Sequence, residues 1–187
     1  TAGAFVAARV HRLLVPALLA FAVVAVALAA LLAAGVDGEI VRIAGFRYAQ
    51  PLWFLAVFLL CQALLPALLA AHERAPLRTI LLLVAAAGAV DAMRAVTGVD
   101  AIGMLNLAFV WLALQQLGFV MADGTIDALH RRTRIVIGVA AVAVLAASMV
   151  GGVFSADLYE NLNPPTTALL LVGIAQTALL SLLRAPL

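Results

Sequence analysis

Sorted into apolar and polar positions, the chain falls into six long apolar runs with short polar stretches between them. The runs are Leu13 to Ala34, Pro51 to about Ala71, one starting near Thr79, about Ala101 to Ala122, Ile135 to about Phe154, and a last one after Pro164 and Pro165 that ends near Arg184. Each is about 20 residues, the length at which a helix rising about 1.5 Å per residue crosses a hydrocarbon core of about 30 Å. A transmembrane barrel would instead show alternating segments of about 10 residues. The pattern predicts an all-α, polytopic integral membrane bundle of six transmembrane helices forming a single transmembrane domain over residues 1–187.

The polar stretches are predicted as connections. They are a basic lead-in from Thr1 to Arg12, a mixed loop from Gly35 to Gln50, a short basic loop from His72 to Arg78, a turn at Gly98 to Asp100, a loop from Asp123 to Arg134 and a polar loop from Ser155 to Asn163. Pro16 and Pro51 fall where a first helical turn is expected, and a missing N–H costs least there. The first apolar run ends in Leu31, Leu32, Ala33, Ala34 and Gly35, like a signal-peptide cleavage site. At about 22 residues it is too long for a signal segment and reads as a spanning helix.

Composition agrees with the pattern. Hydrophobic residues make up 67% of the 187 and charged ones 11%, and mean hydropathy is +1.21, values outside the range of a water-facing globular surface. The basic sequence pI is no sign of nucleic-acid binding, because all 11 cationic residues are arginines, most of them in the short polar stretches that flank or join the spans, where they set orientation. If the connections alternate between two sides, eight arginines lie on one side and three on the other. That bias places both termini in the cytoplasm and Asp91, Arg94, Asn106 and Asn163 toward the outer face of the cell membrane. With Cys61 as the one cysteine, an intrachain disulfide and a cysteine-based metal site are both excluded.

Candidate chemistry centres on the stretch from Asp91 to Gly118. Amid Ala, Leu and Val it holds an acid, a guanidinium and the amides of Asn106, Gln115 and Gln116, groups that must be solvated by one another, by water or by a ligand. Asp91 and Arg94 lie three residues apart on one helix face. They read either as a structural pair, with the arginine reaching the interface, or as part of an outer cavity for a hydroxylated substrate. On an ideal helix Gln116 lies about 80° from Asn106 and Gln115 about 180°, so only Gln116 is placed to share a cavity with Asn106. Interhelical hydrogen bonding is the plainer role for both glutamines.

His11, His72 and His130 all fall in polar connections beside arginines and are expected to be solvated loop residues. No metal-ligand spacing, phosphate-binding glycine loop or nucleophile elbow is present, so no metal is expected and no catalytic residue is assigned. Arg9 and Arg12 read on spacing alone as topology anchors; phosphate recognition is the sharper alternative.

Several strings in order resemble the membrane acyltransferase 3 family. Arg9-Val10-His11-Arg12-Leu13-Leu14-Val15-Pro16 is similar to its basic RxxR segment leading into a helix. Pro51-Leu52-Trp53-Phe54-Leu55, the run from Asn106 to Gly118 with Ala122-Asp123-Gly124, Ser148-Met149-Val150-Gly151, and Asn163-Pro164-Pro165-Thr166 are similar to strings of its actinobacterial branch. The resemblance implies an enzyme that takes an acyl group from acyl-CoA at the cytoplasmic face and passes it to a hydroxyl of a sugar or glycolipid at the outer face. No cofactor is permanently bound on that reading, and acyl-CoA is a co-substrate. Arg9 and Arg12 then belong to the acyl-CoA end, while Trp53, Asp91, Arg94, Asn106, Gln116 and Asn163 line the acceptor site or tunnel.

Two departures stand out. Gln115 occupies a position where the branch carries histidine. Family members have about ten helices, with the proposed catalytic histidine in the first, so the resemblance implies an internal part of such a domain with the catalytic base outside it. A non-catalytic membrane scaffold or subunit is the alternative reading, and a small-solute transporter a weaker one, since inverted halves are not evident.

Overall fold

The structure, a computed structural model, describes the backbone of residues 2–49, 52–157 and 159–183. Among these residues there are eight helices and no strand, only an isolated bridge between Leu162 and Pro165. In chain order they are α1 (Ala2–Ala33), α2 (Gly38–Ala49), α3 (Leu52–Arg74), α4 (Pro76–Thr97), α5 (Asp100–Gly103), α6 (Asn106–Ala122), α7 (Arg131–Val150) and α8 (Thr167–Leu183). Five stretches are long and apolar enough to cross a membrane: Leu14–Ala33, Gly38–Arg74, Pro76–Thr97, Asp100–Ala122 and Arg131–Val150. The sixth, α8, has 17 residues, about 25 Å of helix and the lower limit for a span.

The polar connections are more helical than their composition predicts. Helix α1 is already formed at Ala2, so Pro16 lies inside it rather than in its first turn. The alanine-rich lead-in favours helix strongly enough to carry the element past the one hydrogen bond that proline removes. Most of the mixed loop after Ala34 is the helix α2. Gly35, at φ +83°, ends α1 by letting Val36 N–H reach Leu31 O at 3.0 Å. Two residues later the Asp37 carboxylate accepts the N–H of Glu39 at 2.7 Å and starts the next helix. The basic loop before α4 shrinks to Ala75 alone, where the Thr79 hydroxyl bonds Ala71 O and Ala75 O at 3.1 and 3.0 Å.

The chain forms two compact units, Thr1–Pro66 and Ala67–Leu187. In the first, α1 and α2 pack where Gly45 leaves room for Leu28; a Cβ at residue 45 would stand 3.2 Å from the leucine Cδ1. The second unit holds the tightest packing. Ala87 of α4, Val110 and Ala113 of α6 and Leu170 of α8 are almost wholly buried against one another, with Leu83, Val84, Phe109, Leu114 and Leu169 around them. Lipid tails are as apolar as leucine, so van der Waals fit between small residues, rather than water exclusion, holds such helices together. Gly173 shows the fit: a Cβ there would lie 2.5 Å from Leu114 Cδ2. Helix α7 lies along α8 in the same unit.

In this unit α4 and α6 run antiparallel, and short connections bring the polar residues to two ends. One end collects the C-terminus of α4, α5 and the starts of α6 and α8. The other collects the end of α3 and the start of α4, the end of α6, the start of α7 and the end of α8.

Candidate functional site

At the first end, Asp91 is the node. The Asn106 amide donates to Asp91 Oδ1 at 2.8 Å and also to Ala87 O at 3.3 Å. Oδ2 of Asp91 accepts the Thr167 N–H at 2.8 Å and the Thr167 hydroxyl at 2.7 Å. Thr167 is the first residue of α8, whose leading N–H groups have no partners within the helix. A carboxylate on α4 therefore does for α8 what an N-cap side chain does locally, and its charge complements the positive end of the helix dipole. Asn106 is fully buried, and its Oδ1 has no hydrogen-bond partner.

Arg94 does not pair with Asp91. Its Nε and Nη2 donate to Asp100 Oδ1 at 3.0 and 2.9 Å, across the turn that Gly98 makes with φ +67°. The i,i+3 pairing is absent because the neutral amide and the α8 backbone already occupy the Asp91 carboxylate, while the chain reversal delivers a second acid to the guanidinium. Asp91, Arg94 and Asp100 line a cleft of about 570 Å³ together with Phe154, Ser155, Glu160, Asn161 and Thr166.

Asn163 is exposed and does not line that cleft. The loop asparagine that does is Asn161, 3% exposed, whose amide donates to Ser155 O at 2.6 Å and Asp157 O at 3.0 Å while its Oδ1 accepts the Thr166 hydroxyl at 3.1 Å. Asn161 thus folds the loop onto the start of α8. Beside it the Asn163–Pro164 peptide is cis, and the Pro164 ring lies over Gly103, where an added Cβ would stand 2.7 Å from Pro164 Cγ.

The other end corrects the sequence reading of His72. The side chain is not a solvated loop group; the residue is 6% exposed near the end of α3, and its ring stands edge-on to Phe119 with centroids 5.4 Å apart. His72 Nε2 lies 2.8 Å from Asp123 Oδ2, and His72 Nδ1 lies 2.7 Å from Gln116 Nε2. The same Gln116 nitrogen is 3.2 Å from Pro76 O, a group that can only accept. The amide nitrogen is thereby identified, His72 Nδ1 acts as acceptor and Nε2–H donates to Asp123. Asp123 titrates below the ordinary carboxylate range, chiefly because the Thr125 backbone N–H and then its hydroxyl bond the carboxylate, with His72 adding less. A cleft of about 490 Å³ opens here, lined by His72, Glu73, Phe119 and Asp123.

Gln116 and Asn106 do share the buried face of α6, but they do not share a cavity. Ten residues of rise, about 15 Å, separate them, so each serves a different end. Of the other residues singled out in the sequence, Trp53 belongs to the first unit and stands edge-on to Phe54 at 6.0 Å. Arg12 is exposed, and the side chain of Arg9 lies outside the described residues. No group of three or more metal-ligating side chains occurs among the described residues. Sequence reasoning missed His72, Asp123 and Asn161, and no spacing signal marks the first two, which are 51 residues apart.

Fold and site together define a multi-pass helical membrane protein whose polar side chains gather at two ends of one helical unit. The chain belongs to the acyltransferase 3 family: the family model described as an acyltransferase domain matches residues 1–187, the whole chain. Neither a curated protein nor a solved structure matches it.

Proposed function

We propose that this acyltransferase moves an acyl group from acyl-CoA at the cytoplasmic face to a hydroxyl of a sugar or glycolipid at the outer face of the cell membrane. The observation that carries the reading is the polar cleft at the Asp91 end, about 570 Å³ in volume, within a chain that is otherwise mostly Ala, Leu and Val. Such a volume suits a ligand of a few rings, and its lining offers carboxylates, hydroxyls and a guanidinium to a polyhydroxylated acceptor. Two N–H groups of Arg94 are held by Asp100, which fixes the plane of the guanidinium and leaves further donors for an acceptor oxygen. Asp91 and Asn106 act as positioning residues, because their polar atoms hold α4, α6 and α8 in register around the cleft.

The arginine bias between connections supports cytoplasmic termini and an outward-facing Asp91 end. In the transfer, the thioester C–S bond breaks and an ester C–O bond forms, with the acceptor's hydroxyl proton passing to a base and the thiol leaving as free CoA. Arg9 and Arg12 grip the CoA phosphates, since guanidinium groups match phosphate oxygens bidentately. Replacing both by alanine in the full-length enzyme abolishes acyl-CoA-dependent modification of the acceptor; unchanged activity removes them from donor binding. A second reading, a non-catalytic membrane subunit, draws on the full engagement of the Asp91 carboxylate in helix bracing. Mass spectrometry of envelope glycolipids from a deletion strain separates the two: loss of an O-acyl group supports the enzyme, and an unchanged profile supports the subunit.

A further inference from the structure

Helices α7 and α8 leave a further cavity, of different character from the two clefts at the ends of the unit. It measures about 530 Å³ and runs between the two helices, walled by Val139, Val142, Ala143 and Ala146 on one side and Ala175 and Leu179 on the other. Two polar residues break the apolar lining, Arg134 at one end and Gln176 deeper in.

Three observations give the groove a direction. The first is charge. Arg131, Arg132 and Arg134 stand in the first turn of α7, and His130, at the N-cap, provides no capping hydrogen bond. Cations at the positive end of a helix are unfavourable unless an anion compensates them. Asp127 meets Arg134 at 3.5 Å, one acid against three guanidinium groups. Arg134 also donates from Nη1 to Ser181 O at 2.6 Å, yet its buried Nε has no partner.

The second is depth. The bond to Ser181 marks the level of Arg134 on α8, and Gln176 lies five residues toward the middle of that helix, about 7.5 Å farther along. Its amide, exposed to the groove, makes no hydrogen bond among the described residues. An unbonded amide at membrane depth is costly. The third is length: from Arg134 to Ala146 the α7 wall rises about 18 Å, comparable to an extended long fatty chain.

We infer that the α7–α8 groove is a binding site for an anionic glycerophospholipid of the bilayer, with its phosphate at Arg131 and Arg134, an acyl ester at Gln176 and one hydrocarbon chain along Val139, Val142 and Ala146. The step from guanidinium to amide matches the short separation of phosphate and acyl ester in such a lipid. In acyl-CoA the pantetheine arm sets phosphate and thioester much farther apart, so the acyl donor does not fit the same pair. The site is independent of the transfer reaction and needs only that the chain sit in a membrane.

The test is native mass spectrometry of the intact protein released from nanodiscs containing equal amounts of phosphatidylglycerol and phosphatidylcholine. The wild type retains one phosphatidylglycerol, preferred about fivefold over phosphatidylcholine, the scale of one arginine at an anionic lipid surface. Arg131→Gln and Arg134→Gln each reduce that preference, and Gln176→Leu shortens retention of either lipid. Ala143→Leu with Ala146→Leu, both at exposed positions, fills the groove and removes the bound lipid while helix content and melting temperature stay as in the wild type. Equal retention of the two lipids by the wild type overturns the inference. So does lipid retention unaffected by the leucine pair, or displacement of the lipid by palmitoyl-CoA, which assigns the groove to the donor.

Discussion

The Asp91 carboxylate and the backbone N–H of Thr167 meet at 2.8 Å across 76 residues of chain, so one helix caps another. The bond closes the second unit at one end, since Asp91 also holds Asn106 on α6. The arrangement leaves little tolerance in the identity of its members. An asparagine at position 91 that kept its oxygen toward Thr167 would turn its NH₂ against the NH₂ of Asn106.

Asp91→Asn is therefore expected to destabilise the protein by about 1–3 kcal/mol, the cost of a buried polar group left unsatisfied, and Asp91→Ala by at least as much. Exchanging the pair, Asp91→Asn with Asn106→Asp, restores donor to acceptor between the helices but sets a carboxylate against Ala87 O. The double variant should be less destabilised than the sum of the singles, yet below wild type. Thermal unfolding in detergent, arranged as a double-mutant cycle, measures the coupling.

At the opposite end, the Pro76 carbonyl dictates the orientation of Gln116 and, through it, the tautomer of His72. Nitrogen NMR of labelled histidine should find His72 as the Nε2–H tautomer in the wild type. Gln116→Leu leaves Pro76 O and His72 Nδ1 without their donor and should cost about 1–3 kcal/mol. A wild-type spectrum with the proton on Nδ1 would show that the amide is not oriented by Pro76.

Asp123 gives a pH dependence with a definite sign. Its carboxyl titrates below the usual carboxylate value in the folded protein, so it binds a proton less readily there than in the unfolded chain. The stabilisation is complete above the unfolded value of about 4 and is lost as pH falls through the folded value. Melting temperatures followed from pH 6 to pH 3 should decline less steeply for Asp123→Asn than for the wild type.

Gly103 sits under Pro164 with no room for a side chain. Gly103→Ala should push the Pro164 ring and the loop that Asn161 fastens to α8, costing about 1–3 kcal/mol as overpacking does. Because that loop walls the Asp91 cleft, acyl transfer should fall by more than the loss of folded protein explains. Gly118→Ala serves as the control: the position is exposed on α6 away from that cleft, an added Cβ there meets nothing within 4 Å, and its activity should stay close to wild type.

Much of the architecture could be read along the chain. Apolar runs of about 20 residues can satisfy their backbone in a bilayer only as helices, so the spans followed from length and hydropathy alone. Gly98, Gly35 and the Asp37 cap likewise act through neighbours in sequence. The lead-in and the stretch after Ala34 were harder, because polar composition says where lipid stops and not where helix stops.

What the chain order by itself determined is that this is a multi-pass helical membrane protein, that Asp91 and Asn106 stand out as polar groups needing partners, and that its motifs are those of an acyltransferase. Only the tertiary structure decided who those partners are: Thr167 for Asp91, Asp100 for Arg94, and Gln116 and Asp123 for His72. The reason is that a hydrophobic pattern reports each residue's preference for lipid, interior or water, a property of that residue and its near neighbours. Hydrogen bonds between residues 44, 51 and 76 positions apart depend on helix order, direction and axial register, and these are set by the fit of small side chains such as Ala87, Ala113 and Gly173 between packed helices.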